Sequence, residues 1–132
     1  MSMRSWLFVP GDSERKLAKV ATCGADVVVI DLEDAVPDHG KIPARKLATG
    51  WLASHRQQVT SGAGFQRWVR INRLDGNLWR EDLASVMAGQ PDGIMIPKAT
   101  GPEQLRMFSA ELYETEQRNG VQPNATRIMP MA

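Results

Sequence analysis

The feature that most constrains this chain is an alternation of short apolar runs with longer amphipathic stretches, repeated along the whole sequence. Trp6-Leu7-Phe8-Val9 is stopped by the turn pair Pro10-Gly11. Asp12 or Ser13 is placed to cap a helix running to about Gly24, with Leu17, Val20 and Ala21 at helical spacing. Val27-Val28-Val29-Ile30 is continuous and β-branched, the habit of a strand covered on both faces in a parallel sheet. A second helix is expected over residues 44–58, a third strand at Trp68-Val69-Arg70-Ile71 and a third helix over residues 78–88. Residues 93–96 form a fourth strand closed by Pro97-Lys98, and Pro102 opens a long amphipathic helix that Asn119-Gly120 breaks. Arg127-Ile128-Met129-Pro130-Met131 reads as a fifth strand.

Strands alternating with helices specify parallel βα units joined by right-handed crossovers. Two architectures share this pattern, an open doubly wound sheet and a closed eight-stranded (β/α)8 TIM barrel. No Gly-x-Gly-x-x-Gly follows any of the strands, which weakens the dinucleotide-binding form of the first. A closed barrel takes eight units and about 250 residues. This chain supplies four complete units and a lone strand, read as a single domain over residues 1–132.

Charge narrows the partners. Sixteen basic and 15 acidic residues leave a net charge of +1, which offers no electrostatic footprint for nucleic acid. No apolar run approaches the roughly 18 residues of a membrane span, and the N-terminus lacks a signal-peptide pattern, so a cytoplasmic protein is expected. Cys23 is the sole cysteine, which rules out an internal disulfide; it reads as a small buried residue. His39 and His55 lack the spacing of a zinc pair. Trp51, Trp68, Trp79, Leu105 and Phe108 read as packing residues.

In parallel α/β folds the C-terminal ends of the strands carry the site. After the first strand, Phe8, Pro10 and Gly11 lead into a helix start with Arg15 and Lys16, a place where amides and cations can hold an anion. The alternative there is a plain strand–turn–helix junction with solvated basic residues. After the second strand, Asp31, Glu33 and Asp34 follow four buried β-branched residues, and need a cation opposite them. Alternation puts Asp31 and Glu33 on one face and Asp34 on the other, if the strand continues that far. Carboxylates of this kind can hold the waters of Mg²⁺; the other reading is a helix-capping loop paired with Lys41 and Arg45. Arg70 shares a face with Trp68 and Asn72, opposite Val69 and Ile71. Turned inward, it would either pair with Asp31 or Glu33, or grip a substrate carboxylate with its bidentate fork. Lys98, after the fourth strand, is placed either to orient an anionic ligand or to stand in solvent.

Together, Arg4-Ser5-x-Leu7-Phe8-Val9-Pro10-Gly11, Asp31-Leu32-Glu33-Asp34-Ala35-Val36, Lys41-x-x-Ala44-Arg45, Val69-Arg70-Ile71-Asn72 and Pro97-Lys98 resemble the HpcH/HpaI aldolase and citrate lyase β-subunit family. The Phe-Val-Pro-Gly and Asp-Leu-Glu-Asp-Ala-Val signatures are closer to its CoA-ester lyase branch than to its free-acid aldolases. The resemblance implies a Mg²⁺-dependent TIM barrel that cleaves a carbon–carbon bond in malyl-, citramalyl- or citryl-type CoA thioesters. It implies that Arg70 binds substrate, that Asp31 and Glu33 serve the catalytic site, and that Asp31, Glu33 and Asp34 order metal-bound water. Phe8, Pro10, Gly11, Arg15 and Lys16 would approach the CoA moiety, and Lys98 the substrate.

The family's direct Mg²⁺ ligands are a Glu after the fifth strand and an Asp after the sixth, beyond Ala132. The expectation is therefore an N-terminal portion of a barrel, without direct metal ligands and inefficient as a catalyst on its own. Its open sheet edge would favour a homo-oligomer. The competing readings are a non-catalytic half-barrel module that binds CoA or a carboxylate, and an aldolase acting on free 2-oxo acids.

Overall fold

A computed structural model describes residues 5–20, 24–55 and 65–131. Cys23, Arg4, Ala21 and the expected helical residues 56–58 lie outside the described residues. Among the described residues five strands and four helices alternate: β1 (Trp6–Pro10), α1 (Glu14–Val20), β2 (Val27–Asp31), α2 (Lys41–Ser54), β3 (Gln66–Arg70), α3 (Trp79–Val86), β4 (Gly93–Ile96), α4 (Pro102–Arg118) and β5 (Arg127–Pro130). Ser13 caps α1, its hydroxyl accepting from the Lys16 amide at 3.3 Å. Helix α2 begins three residues ahead of the expected 44, because a short 3-10 turn, Asp38–Gly40, leads straight into it. Pro43 does not interrupt it, since an amide in the first turn has no helical acceptor. Strand β3 begins earlier than expected and takes in Gln66 and Arg67.

All the strand pairs are parallel, and their order in the sheet is their order in the chain, β1-β2-β3-β4-β5. That order decides between the two architectures. A doubly wound sheet reverses direction at a switch point and places helices on both faces, whereas right-handed crossovers stepping one way place every helix on one face. Leu17, Ala44, Leu52, Leu83, Phe108 and their neighbours on the four helices form one core with Val9, Val28, Ile30, Val69, Ile71, Ile94 and Ile96. The opposite face carries a smaller cluster of Val27, Val29, Trp68 and Met95, with Trp6, Met129 and Met131 packed against it. The chain forms five successive strands of a TIM-barrel wall, helices outside.

The β-branched run of β2 fits its place: Val27, Val28, Val29 and Ile30 are all fully buried, two on each face. Register then lines up rows on the inner face. Phe8, Val29, Trp68 and Gly93 make one row, and Pro10, Asp31, Arg70, Met95 and Met129 the next, nearer the strand ends. Gly93 is required by its neighbour: a Cβ there would stand 2.5 Å from the indole of Trp68, which lies across it. Trp6 meets the same indole edge-on at 5.4 Å. The aromatic packing residues behave as expected, with Trp51, Trp68, Trp79 and Phe108 all buried.

Candidate active site at the strand ends

Asp31 is the last residue of β2 and Arg70 the last of β3, and the two are direct partners across the sheet. Arg70 Nε donates to Asp31 Oδ1 at 2.9 Å and Nη2 to Oδ2 at 2.6 Å, a side-on bidentate pair. The same carboxylate accepts the Glu33 amide at 2.8 Å and the Ala35 amide at 3.0 Å. These two bonds turn the chain sharply after β2. Asp31 is almost wholly buried and is compensated by one guanidinium and two amides, the satisfaction a buried charge requires. Its hydrogen bonds hold the Arg70 pKa above the ordinary value, against the opposing effect of burial. The ring of Phe8 lies 5.2 Å from the guanidinium carbon, on the β1 side.

Lys98 reaches the same place from beyond β4. Its backbone is left-handed, with φ at 50°, and its Nζ lies 2.5 Å from Glu33 Oε2 and 3.2 Å from Asp34 Oδ1. Hydrogen bonding to Glu33 and then Asp34 raises the Lys98 pKa; the bond to Lys98 lowers that of Asp34. Glu33 stands between the two cations, with Oε1 at 3.9 Å from Arg70 Nε. Oε1 is buried and has no hydrogen-bond partner.

Arg70, Asp31, Glu33, Asp34, Lys98 and Phe8 are thus brought together. Asp34 falls outside the alternation, because the strand does not continue that far. Strand β2 ends at Asp31, the following turn is bent by the Asp31 carboxylate, and Asp34 reaches the same Lys98 as Glu33 instead of the opposite face. The pairing of the acidic segment with Lys41 and Arg45 is also replaced: Lys41 binds main-chain carbonyls, and Arg45 binds Asp82 and Glu81. Pro10 stands in the same row as Asp31. Gly11 packs beneath, its amide donating to Asp31 O at 2.9 Å, where a Cβ would stand 2.8 Å from Leu32 Cδ2. Arg15 and Lys16 stand apart on the exposed side of α1. Lys16 borders a cleft of about 280 Å³ with Leu7, Phe8, Val9 and Pro10.

A larger cavity, about 560 Å³, opens between the segments that follow β2 and β3, bordered by Glu33, Asp34, Lys41, Asn72, Arg73 and Asn77 among others. Beneath it runs a buried polar chain that the sequence reading missed. Lys41 Nζ donates to Leu32 O at 3.1 Å, Glu33 O at 2.9 Å and Asn72 Oδ1 at 2.7 Å. Asn72 Nδ2 donates to Asp82 Oδ2 at 2.7 Å, and Arg45 Nε to Asp82 Oδ1 at 3.0 Å. A signal existed: Lys41, Ala44, Arg45 and Ala48 recur at helical spacing, which sets two cations on the apolar face of α2.

Mg²⁺ does not fit these residues as direct ligands. Among the described residues no group of three or more His, Cys, Asp or Glu is arranged to hold a metal ion. Both oxygens of Asp31 are already occupied, and Asp34 is tied to Lys98. Glu33 Oε1 is the buried acceptor with capacity to spare. No described helix is long and apolar enough to cross a membrane.

The family model described as HpcH/HpaI aldolase/citrate lyase matches residues 4–131. The chain is 38% identical over 107 residues to a (3S)-malyl-CoA thioesterase of Cereibacter sphaeroides, covering 81% of this chain and 36% of the relative. It is 33% identical over 108 residues to the mitochondrial citramalyl-CoA lyase of Mus musculus, covering 80% of this chain and 30% of the relative. The chain therefore spans about a third of the length of the curated relatives it matches. Among solved structures, the citrate lyase beta subunit from M. tuberculosis, complexed with oxaloacetate and magnesium, superposes with a TM-score of 0.62 at 25% identity. That match covers 95% of this chain and 56% of the other.

Proposed function

From the premise that this chain belongs to the HpcH/HpaI aldolase/citrate lyase family, we propose that the protein is a cytoplasmic carbon–carbon lyase acting on a malyl-, citramalyl- or citryl-type CoA thioester. The observation that carries the reading is the guanidinium of Arg70, fixed by Asp31 at the inner ends of adjacent strands. Two of its five N–H donors are used on Asp31, and the rest stay available for a second carboxylate. A substrate of this class is a 3-hydroxyacyl thioester with a carboxylate on the hydroxyl-bearing carbon. Cleavage removes the hydroxyl proton, breaks the bond to the carbon beside the thioester, and leaves a 2-oxo acid and a thioester enolate that takes up a proton.

In this reading Arg70 binds the carboxylate of the departing 2-oxo acid and fixes the angle at which the bond breaks. Phe8 closes the β1 side of the guanidinium and limits its access to water. Lys98 holds Glu33 and Asp34 in place. Phe8, Pro10 and Lys16, which border one cleft, would line the approach of the CoA portion, while Gly11 shapes the turn beneath and Arg15 stands on the exposed side of α1. Magnesium, present in the solved citrate lyase relative, is the proposed cofactor, with its direct ligands outside the residues described. The acidic segment Asp31, Glu33 and Asp34 would help order water around such an ion, with Glu33 Oε1 the oxygen that has acceptor capacity to spare. Leu7, Phe8 and Ile128 are exposed large apolar residues, and a homo-oligomer is proposed as the assembly that covers such surface.

The name of the C. sphaeroides relative favours a second reading, hydrolysis of the thioester. One assay separates the two, applied to the protein as produced in its native cell with a malyl-type thioester and Mg²⁺. Lyase action yields an acyl-CoA and a 2-oxo acid that a hydrazine traps, with no free thiol. Hydrolysis yields free CoA thiol and the hydroxy acid. CoA binding without either product would leave a binding module, and turnover of free hydroxy acids would make it an aldolase.

A further inference from the structure

The Lys41 ammonium is buried, yet its acceptors are two main-chain carbonyls and an amide rather than a carboxylate. A buried cation without a counter-ion in contact is costly, and an apolar side chain would fill the same place more cheaply. What the ammonium does is local. The carbonyls it holds belong to Leu32 and Glu33, the stretch that swings the Glu33 carboxylate between Arg70 and Lys98. Asn72 links this cation to a buried anion: its Oδ1 accepts from Lys41, while its amide nitrogen and its backbone amide both donate to Asp82 Oδ2. Arg45 closes the chain by holding the other oxygen of Asp82. The ends of β2 and β3 and the helices α2 and α3 are thereby locked to one another through four side chains.

We propose that Lys41 and Asn72 are positioning residues that set the Glu33 carboxylate for the cleavage reaction, acting through the Leu32 and Glu33 carbonyls. The inference rests on the lyase reading for its activity test, and on geometry for the rest. Neither residue touches the reacting atoms. Loss of either lets the segment after β2 drift while Arg70 keeps its bond to Asp31, so substrate binds but reacts slowly.

The test is Asn72→Asp in the protein as produced in its native cell. The substituted carboxyl has the shape of the amide. Protonated, it donates to Asp82 and accepts from Lys41, as Asn72 does. Ionised, it sets two carboxylates at hydrogen-bond distance, faced by Lys41 and Arg45 from α2, with Glu81 beyond Arg45 on α3. Activity near wild type is expected at the acid end. As pH rises through the titration of the pair, kcat should fall by about tenfold to a hundredfold, the cost of an ångström-scale misplacement. The Kd for CoA should stay within about twofold, since uniform binding is untouched. A wild-type pH profile overturns the proposal, as does a kcat lost equally at every pH in a variant with native circular dichroism.

Lys41→Ala gives a second route, because Lys41 borders the cavity of about 560 Å³. Ethylammonium should restore kcat saturably there, and a folded variant that it cannot rescue counts against the proposal. Wild-type protein in the same assay keeps the two readings apart. Should it cleave no thioester, the lyase reading fails, and the positioning claim is decided by the ¹³C resonance of the Glu33 carboxyl in Asn72→Asp. A second titration step carried into Glu33 supports the proposal; an unchanged Glu33 curve overturns it.

Discussion

Asp31→Asn is the perturbation that most directly probes how the strand ends are held. Asp31 Oδ1 accepts from Arg70 Nε and the Glu33 amide, and Oδ2 from Arg70 Nη2 and the Ala35 amide. An asparagine offers one oxygen and one NH2, so either orientation sets a donor against two donors and loses two of the four bonds. Charge-assisted hydrogen bonds contribute about 1.5–3 kcal/mol each, and removing one member of a buried pair costs about 3–5 kcal/mol. Glu33 Oε1, 3.9 Å from Arg70 Nε and without a hydrogen bond of its own, can move in to take part of the guanidinium's charge. That relief places the expected loss near the bottom of the range, about 3 kcal/mol at neutral pH. Urea denaturation followed by tryptophan fluorescence measures it as a lower midpoint at unchanged slope. A loss below about 1 kcal/mol, the scale of an exposed ion pair, would refute the reasoning that this pair is buried and indispensable. Glu33→Ala in the Asp31→Asn background should cost more than Glu33→Ala alone, because Glu33 has by then become the partner of Arg70.

Gly93→Ala drives a methyl into the Trp68 indole and should cost about 1–3 kcal/mol by overpacking, with a changed near-ultraviolet circular dichroism signal; an unchanged spectrum would contradict the packing. Lys98→Met tests the pH dependence. The lowered pKa of Asp34 gives a contribution present above about pH 4 and lost as pH falls through the folded value. The raised pKa of Lys98 gives one present below about pH 10.4 and lost as pH rises through its folded value. The variant should therefore differ from wild type across the neutral plateau and converge with it at both extremes; a constant offset at all pH values would refute the assignment. Arg67 donates to the carbonyls of Leu52, Gly89 and Gln90, so Arg67→Met should speed amide exchange at the C-terminal end of α2 and in the 3-10 turn that follows α3 together. Faster exchange at one of the two alone would count against a shared clamp.

Much of this architecture is legible before any coordinates. The run Val27 to Ile30 declares a strand buried on both faces, and the turn residues after each strand mark where the helices begin. What periodicity leaves open is the lateral order of the strands, because a doubly wound sheet and a barrel wall share the same local pattern. The sequential order is a tertiary fact. Alternation places Asp31 and Arg70 on one face, and parallel register makes them partners. It does not extend to Asp34, because the Asp31 side chain captures the Glu33 and Ala35 amides and the strand ends there. The Lys41–Asn72–Asp82–Arg45 chain was hidden for a different reason. Its linked members lie 31, 10 and 37 positions apart and meet only through folding, and each one alone looks like an ordinary surface charge or amide. Arg67 is similar, a strand residue on the helix side that reaches three carbonyls and pairs with Asp92, 25 positions away, contacts that leave no mark in composition.

The central claim is that the guanidinium held by Asp31 receives the carboxylate of the substrate on the inner face of the sheet. A crystal structure of the protein with a bound 2-oxo acid measures this directly. The account predicts a carboxylate oxygen at hydrogen-bond distance from Arg70, with the Arg70–Asp31 pair intact behind it. An acid bound elsewhere, with Arg70 engaged by Asp31 alone, would contradict it.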